Sequence, residues 1–148
     1  MTVPALSAAK WLAQKSGWQL TNLQLQKILY LAHMFYLGRR NGEPLVTGHF
    51  EAWDYGPVHP ELYHRAKVFG SSPVRNIFHR TEDLDEGAER DILDEAYGSL
   101  GHLGPGQLVN ATHRPNGAWW QHYKPKTRSI VIPNEDILQE YEALNGSE

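Results

Sequence analysis

One segment of this chain, residues 23–37, is apolar around most of the circumference of the helix that it would form. Thr21 and Gln24 stand at its start with the spacing of a capping box, in which each side chain satisfies a free backbone donor. A helix with so little polar surface must be covered by neighbours on several sides. At about 100° per residue, four polar side chains fall in one narrow stripe: Asn22, Gln26, His33 and Arg40. The sequence therefore predicts a domain built around this helix, with no chemical role for His33.

Helix signals dominate the rest of the chain and predict a mainly α (α+β) fold. Apolar spacing and capping residues predict helices from Pro4 to before Gly17 and over residues 60–69, 84–100 (capped by Asp83), 103–112 and 118–123. A last helix is predicted after Asn134 as its cap, ended by Asn145 and Gly146. No repeat or flexible linker interrupts this order, so residues 1–148 are predicted to form a single domain.

Two short segments carry strand signals. Residues 45–53 mix β-branched and aromatic side chains, and residues 129–132 read Ser-Ile-Val-Ile. We predict that the two pair, and that Tyr55, Gly56 and Pro57 form a turn. An isolated pair of strands is marginal in water, so it must pack on the helices. The expected architecture is a compact multi-helix domain with a small antiparallel sheet of two or three strands.

Composition excludes several kinds of protein. The 148 residues include no cysteine, which removes disulfides, thiolate metal sites and cysteine nucleophiles. No apolar run approaches the ~18–20 residues that a membrane span needs. The first residues also lack the charged and apolar regions of a signal peptide. We therefore expect a cytoplasmic protein without a membrane partner.

Motifs for catalysis or metal binding are missing from the sequence. The eight histidines include no His-Glu-x-x-His motif, and His59 and His64 stand five apart, where a shared helical face needs four. No Gly-x-Ser-x-Gly motif occurs, and Gly104-Pro105-Gly106 lacks the Lys-Ser/Thr pair of a phosphate-binding loop. We expect no metal, no cofactor and no enzymatic activity.

Charge is distributed unevenly along the chain. The net charge is −3, yet residues 82–95 hold eight carboxylates against one base, Arg90. Two interpretations stay open for this acidic segment: a solvated helix face, or a docking surface that speeds encounter with a basic partner. The overall acidity and the lack of a basic recognition helix disfavour nucleic acid as the main partner.

Aromatic residues concentrate in residues 51–63 and 112–120. Trp53 follows a predicted strand and precedes a stiff turn, so it is predicted to lie in the core. Trp119 and Trp120 point about 100° apart on a short helix, so only one of them is expected to be buried. Exposed aromatic rings are typical anchors of protein interfaces. The predicted partner-binding residues are Tyr55, His59, Trp119 and Trp120.

Residues 21–37, followed by the run Glu-Ala-Trp-Asp-Tyr-Gly-Pro-Val at 51–58, resemble the Panacea domain, a family that includes SocA-like antitoxins and phage-associated GepA-like proteins. The resemblance extends over residues 4–143, and its order and spacing match the family. Residues 114–117 depart from it, since relatives carry a more acidic link there. The resemblance marks Trp119 as the inward tryptophan and Trp120 as the outward one. The positions that match family motifs are Gln26, Lys27, Trp53, Tyr55, Gly56, Pro57, Tyr63, Thr112 and His113.

The resemblance implies a function in protein binding. Members of the family are type II antitoxins, which bind a co-encoded toxin protein and keep it inactive, without catalysis. The expected partner is therefore a cognate toxin. The alternatives are a DNA-binding transcriptional regulator, because antitoxins often repress their own operons, and a phage-associated regulatory protein.

Overall fold

The helix α2 (Asn22–Arg39) forms the centre of the fold. The structure, a computed structural model, describes residues 1–145. The predicted capping box is confirmed: Gln24 N donates to Thr21 Oγ1 at 3.2 Å, and Thr21 N donates to Gln24 Oε1 at 2.9 Å. The polar stripe of α2 is covered as well as its apolar faces, since Gln26 and His33 are buried.

Six further helices in the described residues surround α2. They are α1 (Ala5–Lys15), α3 (Pro60–Ala66), α4 (Ala88–Leu100), α5 (Pro105–Thr112), α6 (Ala118–His122) and α7 (Asn134–Leu144). All of them except α6 pack substantially against α2, which is how a helix without a polar face is kept from water. Within residues 1–145, no helix is both long and apolar enough to cross a membrane.

Three short strands form an antiparallel sheet in the order β2-β1-β3. They are β1 (Phe50–Trp53), β2 (Gly56–Val58) and β3 (Val131–Ile132). Phe50 lies opposite Ile132 and Trp53 lies opposite Gly56. The predicted pairing of the two strand segments is confirmed, and so is the fold class: a mainly α (α+β) domain around a central helix, with a small sheet.

The strand boundaries differ from the prediction at two places. Residues 45–49 do not join the sheet, because Val3 pairs with this segment instead: Val3 N donates to Leu45 O and Thr47 N donates to Val3 O, each at 2.9 Å. Gly56 and Pro57, predicted as part of a turn, belong to β2. Proline is compatible with this position because β2 is an edge strand, where one ladder donor is not needed.

Helix starts show where local signals were wrong. The fourth helix begins at Ala88 after Gly87, not at residue 84, because the Asp83 carboxylate pairs with Lys10 Nζ at 2.8 Å instead of capping. The helix predicted over residues 60–69 is α-helical only to Ala66 and continues as a 3₁₀ turn from Lys67 to Phe69. Asn134 is the first residue of α7 and not its cap. The other residue predicted to end α7, Gly146, lies outside the described residues.

Candidate partner-binding site

The hairpin of β1 and β2 is held from below by two neighbouring residues of α2. Lys27 Nζ donates to Pro57 O at 2.9 Å. Gln26 binds both backbone groups of His59: its Oε1 accepts from His59 N at 2.7 Å, and its Nε2 donates to His59 O at 3.3 Å. These bonds join family-motif positions that lie about 30 residues apart in sequence.

Lys27 is a fully buried amine, with 1% of its surface exposed. Burial lowers the pKa of Lys27 to about 7, since a charged ammonium loses its hydration in the interior. Pro57 O is its one hydrogen-bond acceptor among residues 1–145, and no carboxylate of that range forms an ion pair with it. A buried lysine usually has an acidic partner.

Gly56 is required by the packing between Lys27 and the hairpin. Its φ of +116° lies in a region that residues with a side chain rarely adopt. A Cβ at this position would lie 2.9 Å from Thr112 Oγ1 and 3.0 Å from Lys27 Cε. Gly56 therefore lets β2 approach α2 and α5 closely enough for the Lys27 bond.

Trp119 packs against the other strand of the hairpin, β1. Its indole Nε1 donates to Trp53 O at 2.8 Å. Its ring stacks between His113 and Tyr123, with centroid distances of 3.7 and 4.5 Å. His113 also bonds to the Tyr55 backbone. Burial and the nearby Lys27 lower the pKa of His113, and the bond to Tyr55 offsets only part of this shift. Trp119 of α6 and His113, just after α5, thus hold the hairpin backbone at Trp53 and at Tyr55.

Trp53 is buried, as predicted, and its polar edge is satisfied. Its Nε1 donates to Arg128 O at 2.9 Å and to Glu51 Oε1 at 3.0 Å. The ring packs edge-on against Tyr63 at 4.7 Å. The Arg128 guanidinium lies 4.2 Å from the centre of the Trp53 ring, a cation–π distance.

The four predicted partner-binding residues divide into two pairs. Tyr55 is 71% exposed at the hairpin turn and Trp120 is 53% exposed on α6, so both are accessible to a partner. Trp119 is only 5% exposed, which confirms it as the inward tryptophan of the two. His59 is 1% exposed, and its Nε2 contacts Thr47 O at 2.8 Å. His59 and Trp119 therefore support the hairpin and are not direct partner contacts, since neither lies at the surface or lines the pocket that opens beside the hairpin.

A pocket of about 340 Å³ opens beside the hairpin. Its walls come from α2, the hairpin, α3 and the segment before β3, and they include Lys27, Trp53, Tyr55, Tyr63 and Arg128. No sequence pattern indicated a role for Arg128, because only the tertiary fold brings residue 128 to Trp53. In the described part of the chain, no group of three or more His, Asp or Glu side chains is placed to hold a metal ion.

The acidic segment is partly committed to internal contacts. Glu89 Oε2 accepts from Tyr36 OH at 2.9 Å. Asp94 Oδ1 accepts from Trp11 Nε1 at 2.7 Å, and Glu95 pairs with Arg39 at 2.8 Å. These carboxylates hold α4 against α1 and α2, whereas Glu82, Asp85, Glu86 and Asp91 are exposed. Both interpretations of the segment, a solvated helix face and a docking surface, therefore stay open.

Comparison with known proteins identifies the domain. The family model described as "Antitoxin SocA-like, Panacea domain" matches residues 25–120, which include α2, the hairpin, α5 and the start of α6. The protein named Antitoxin SocA of Caulobacter vibrioides (strain NA1000 / CB15N) is 35% identical to this chain. That match covers 68% of this chain and 58% of the relative's length. No solved structure matches the chain. The chain belongs to the SocA-like antitoxin family and carries its Panacea domain.

Proposed function

We propose that this protein is an antitoxin of a type II toxin–antitoxin system, which neutralises a co-encoded toxin by binding it directly. Family membership and the 35% identity to a protein named Antitoxin SocA support an antitoxin role. The proposal assigns no catalytic activity to the domain. Neutralisation would be stoichiometric, with the domain covering or distorting the active surface of the toxin.

The exposure of Tyr55 is the structural observation that supports direct binding of a partner protein. Its ring is 71% exposed, while the backbone on either side is held by buried bonds: Trp53 O accepts from Trp119, and Pro57 O accepts from Lys27. An exposed aromatic on a fixed backbone loses little conformational entropy on binding, which favours affinity. The family motifs thus present one aromatic residue outward on a rigid support.

Trp120 offers a second exposed ring, since α6 buries Trp119 and leaves its neighbour in solvent. A stable protein interface covers about 800 Å² on each partner and depends on a few such residues. We propose Tyr55 and Trp120 as toxin contacts.

The test is co-expression of this chain with the product of the adjacent gene, followed by purification and a binding titration. We expect the wild-type chain to restore growth and to co-purify with that product. Tyr55→Ala should bind at least about tenfold more weakly. Val68→Ala, which trims another exposed apolar side chain, is the matched control and should bind like wild type.

The regulator alternative is separated by an electrophoretic shift with the DNA upstream of the gene. A specific shift by the chain alone, together with no binding to the adjacent gene product, would replace the antitoxin proposal with a transcriptional one.

A further inference from the structure

The pocket beside the hairpin has the chemistry of a site for an anion. Lys27, although almost fully buried, is one of the residues that line it, and so is Arg128. The Arg128 guanidinium lies 4.2 Å from the centre of the Trp53 ring and 5.5 Å from that of Tyr63. Two positively charged groups therefore line a partly apolar recess of about 340 Å³.

The positive charge of Lys27 has no internal counter-ion in residues 1–145. An ammonium has three donors, and Lys27 uses one of them on Pro57 O. Burying an unpaired charge is unfavourable unless a partner neutralises it. Within residues 1–145, no carboxylate stabilises the charged form of the Lys27 amine.

Asp54 is the one carboxylate among residues 1–145 that lines the pocket, and it is bonded to other groups. Its Oδ1 accepts from Tyr123 OH at 2.8 Å and from Lys126 N at 3.1 Å. These bonds lower the pKa of Asp54, and they hold its charge at the turn instead of at Lys27. The pocket therefore keeps a positive site that an incoming acid can fill.

We propose that this pocket receives the carboxylate of an Asp or Glu side chain of the toxin, with Lys27 as its buried counter-ion and Arg128 as a second cation at the mouth. The inference rests on the proposed function. A protein side chain is the occupant that fits, because the exposed Tyr55 lines the same pocket. A toxin that packs on this ring brings its surface to the opening.

The proposal predicts a pH dependence of toxin affinity. In the chain without toxin, the pKa of Lys27 is about 7. A bound carboxylate favours the protonated form of Lys27. Affinity should therefore fall above pH 7, by up to about tenfold per pH unit. The other titratable or charged groups around Lys27 are His113, Asp54, Tyr55, Tyr63 and Arg128. His113 loses its proton below its ordinary pKa of 6.5, outside this range.

The experiment measures the affinity of the purified adjacent gene product for wild-type chain and for two pocket variants. Lys27→Met keeps most of the length of the side chain and removes its charge together with its bond to Pro57 O, while Arg128→Gln alters an exposed residue. We expect roughly ten- to hundredfold weaker binding for Lys27→Met and a smaller loss for Arg128→Gln. The matched control is Arg65→Gln, an exposed arginine outside the pocket, which should bind like wild type.

The occupant is identified by substituting the acidic residues of the toxin one at a time in a double-mutant cycle. Substitution of one of these acidic residues should weaken binding to the wild-type chain but not to the Lys27→Met variant, because that residue and Lys27 form one pair. The fall in affinity above pH 7 should also disappear in Lys27→Met.

Wild-type binding that Lys27→Met and Arg128→Gln leave unchanged would overturn the pocket proposal and leave the antitoxin proposal standing. If Lys27→Met fails to fold, the Arg128→Gln titration and the wild-type pH profile decide between the same outcomes. A wild-type chain that does not bind the gene product at all would overturn the antitoxin proposal itself.

Discussion

The side-chain amide of Gln26 pairs with the backbone of His59 at both of its ends, accepting from N at 2.7 Å and donating to O at 3.3 Å. His59 lies between β2 and α3; its C=O also accepts from Tyr63 N of α3 at 3.0 Å, whereas its N–H donates to Gln26. A buried amide of α2 therefore replaces a missing strand partner and joins the central helix to the hairpin.

Gln26→Leu should destabilise the domain without changing its side-chain volume greatly. The N–H of His59 would lose its buried partner, at about 1–3 kcal/mol, whereas its C=O would keep the bond from Tyr63 N. We expect the free energy of unfolding to fall by about 1–3 kcal/mol in urea titrations. Gln139→Leu, on the exposed face of α7, is the control and should change it by less than about 0.5 kcal/mol. Equal curves for both variants would show that the Gln26 bonds do not stabilise the fold.

Replacing glycine by alanine should change the stability of the protein in opposite directions at Gly56 and Gly98. Gly56→Ala places a Cβ 2.9 Å from Thr112 Oγ1 at a φ of +116°, so we expect a lower melting temperature. Gly98→Ala lies inside α4 with nothing within 4 Å of the new Cβ. It should stabilise the protein by about 0.5–1 kcal/mol, because alanine is the better helix former. Thermal melts of the two variants check both signs, and a Gly56→Ala protein as stable as wild type would contradict the packing argument.

The two adjacent tryptophans should separate stability from binding. Trp119→Ala removes a buried ring and its bond to Trp53 O, so we expect a loss of about 3–5 kcal/mol of stability. Trp120→Ala should melt within about 0.5 kcal/mol of wild type and bind the toxin roughly thirtyfold more weakly. Paired melting curves and binding titrations test this. Intact affinity in Trp120→Ala would remove α6 from the interface.

Acid should destabilise the fold through His33. Burial lowers the pKa of His33 to about 4, whereas an unfolded histidine titrates near 6.5. Between these values the unfolded chain binds a proton that the folded chain excludes, so stability falls as pH decreases from 6.5 to 4. His33 alone should account for about 2 kcal/mol between pH 7 and pH 5. Unfolding titrations of His33→Gln should show a smaller loss over that range.

The control for this pH effect is His79→Gln, because His79 is exposed. It should keep the full acid sensitivity of the wild type. Buried His59, whose pKa burial also lowers, should leave some acid sensitivity in His33→Gln. An undiminished loss in His33→Gln would assign the effect to other groups.

The sequence determined the features that depend on near neighbours. The capping box of Thr21 and Gln24 and the apolar circumference of α2 follow from residues within one or two helical turns. Burial of Trp53 and the opposite orientations of Trp119 and Trp120 were also predictable, since a short helix separates adjacent side chains by a fixed angle. The family motifs identified which positions matter, although not what they do.

Only the tertiary structure decided which polar groups meet. Lys27 and Pro57 are 30 residues apart, and Trp53 and Trp119 are 66 apart, so no local pattern records their bonds. For the same reason His59 was predicted as a partner-binding residue, whereas it is buried and bonded to Gln26 and Thr47. Burial and charge pairing are properties of long-range contacts, and these contacts bury the Lys27 amine without an acidic partner among residues 1–145.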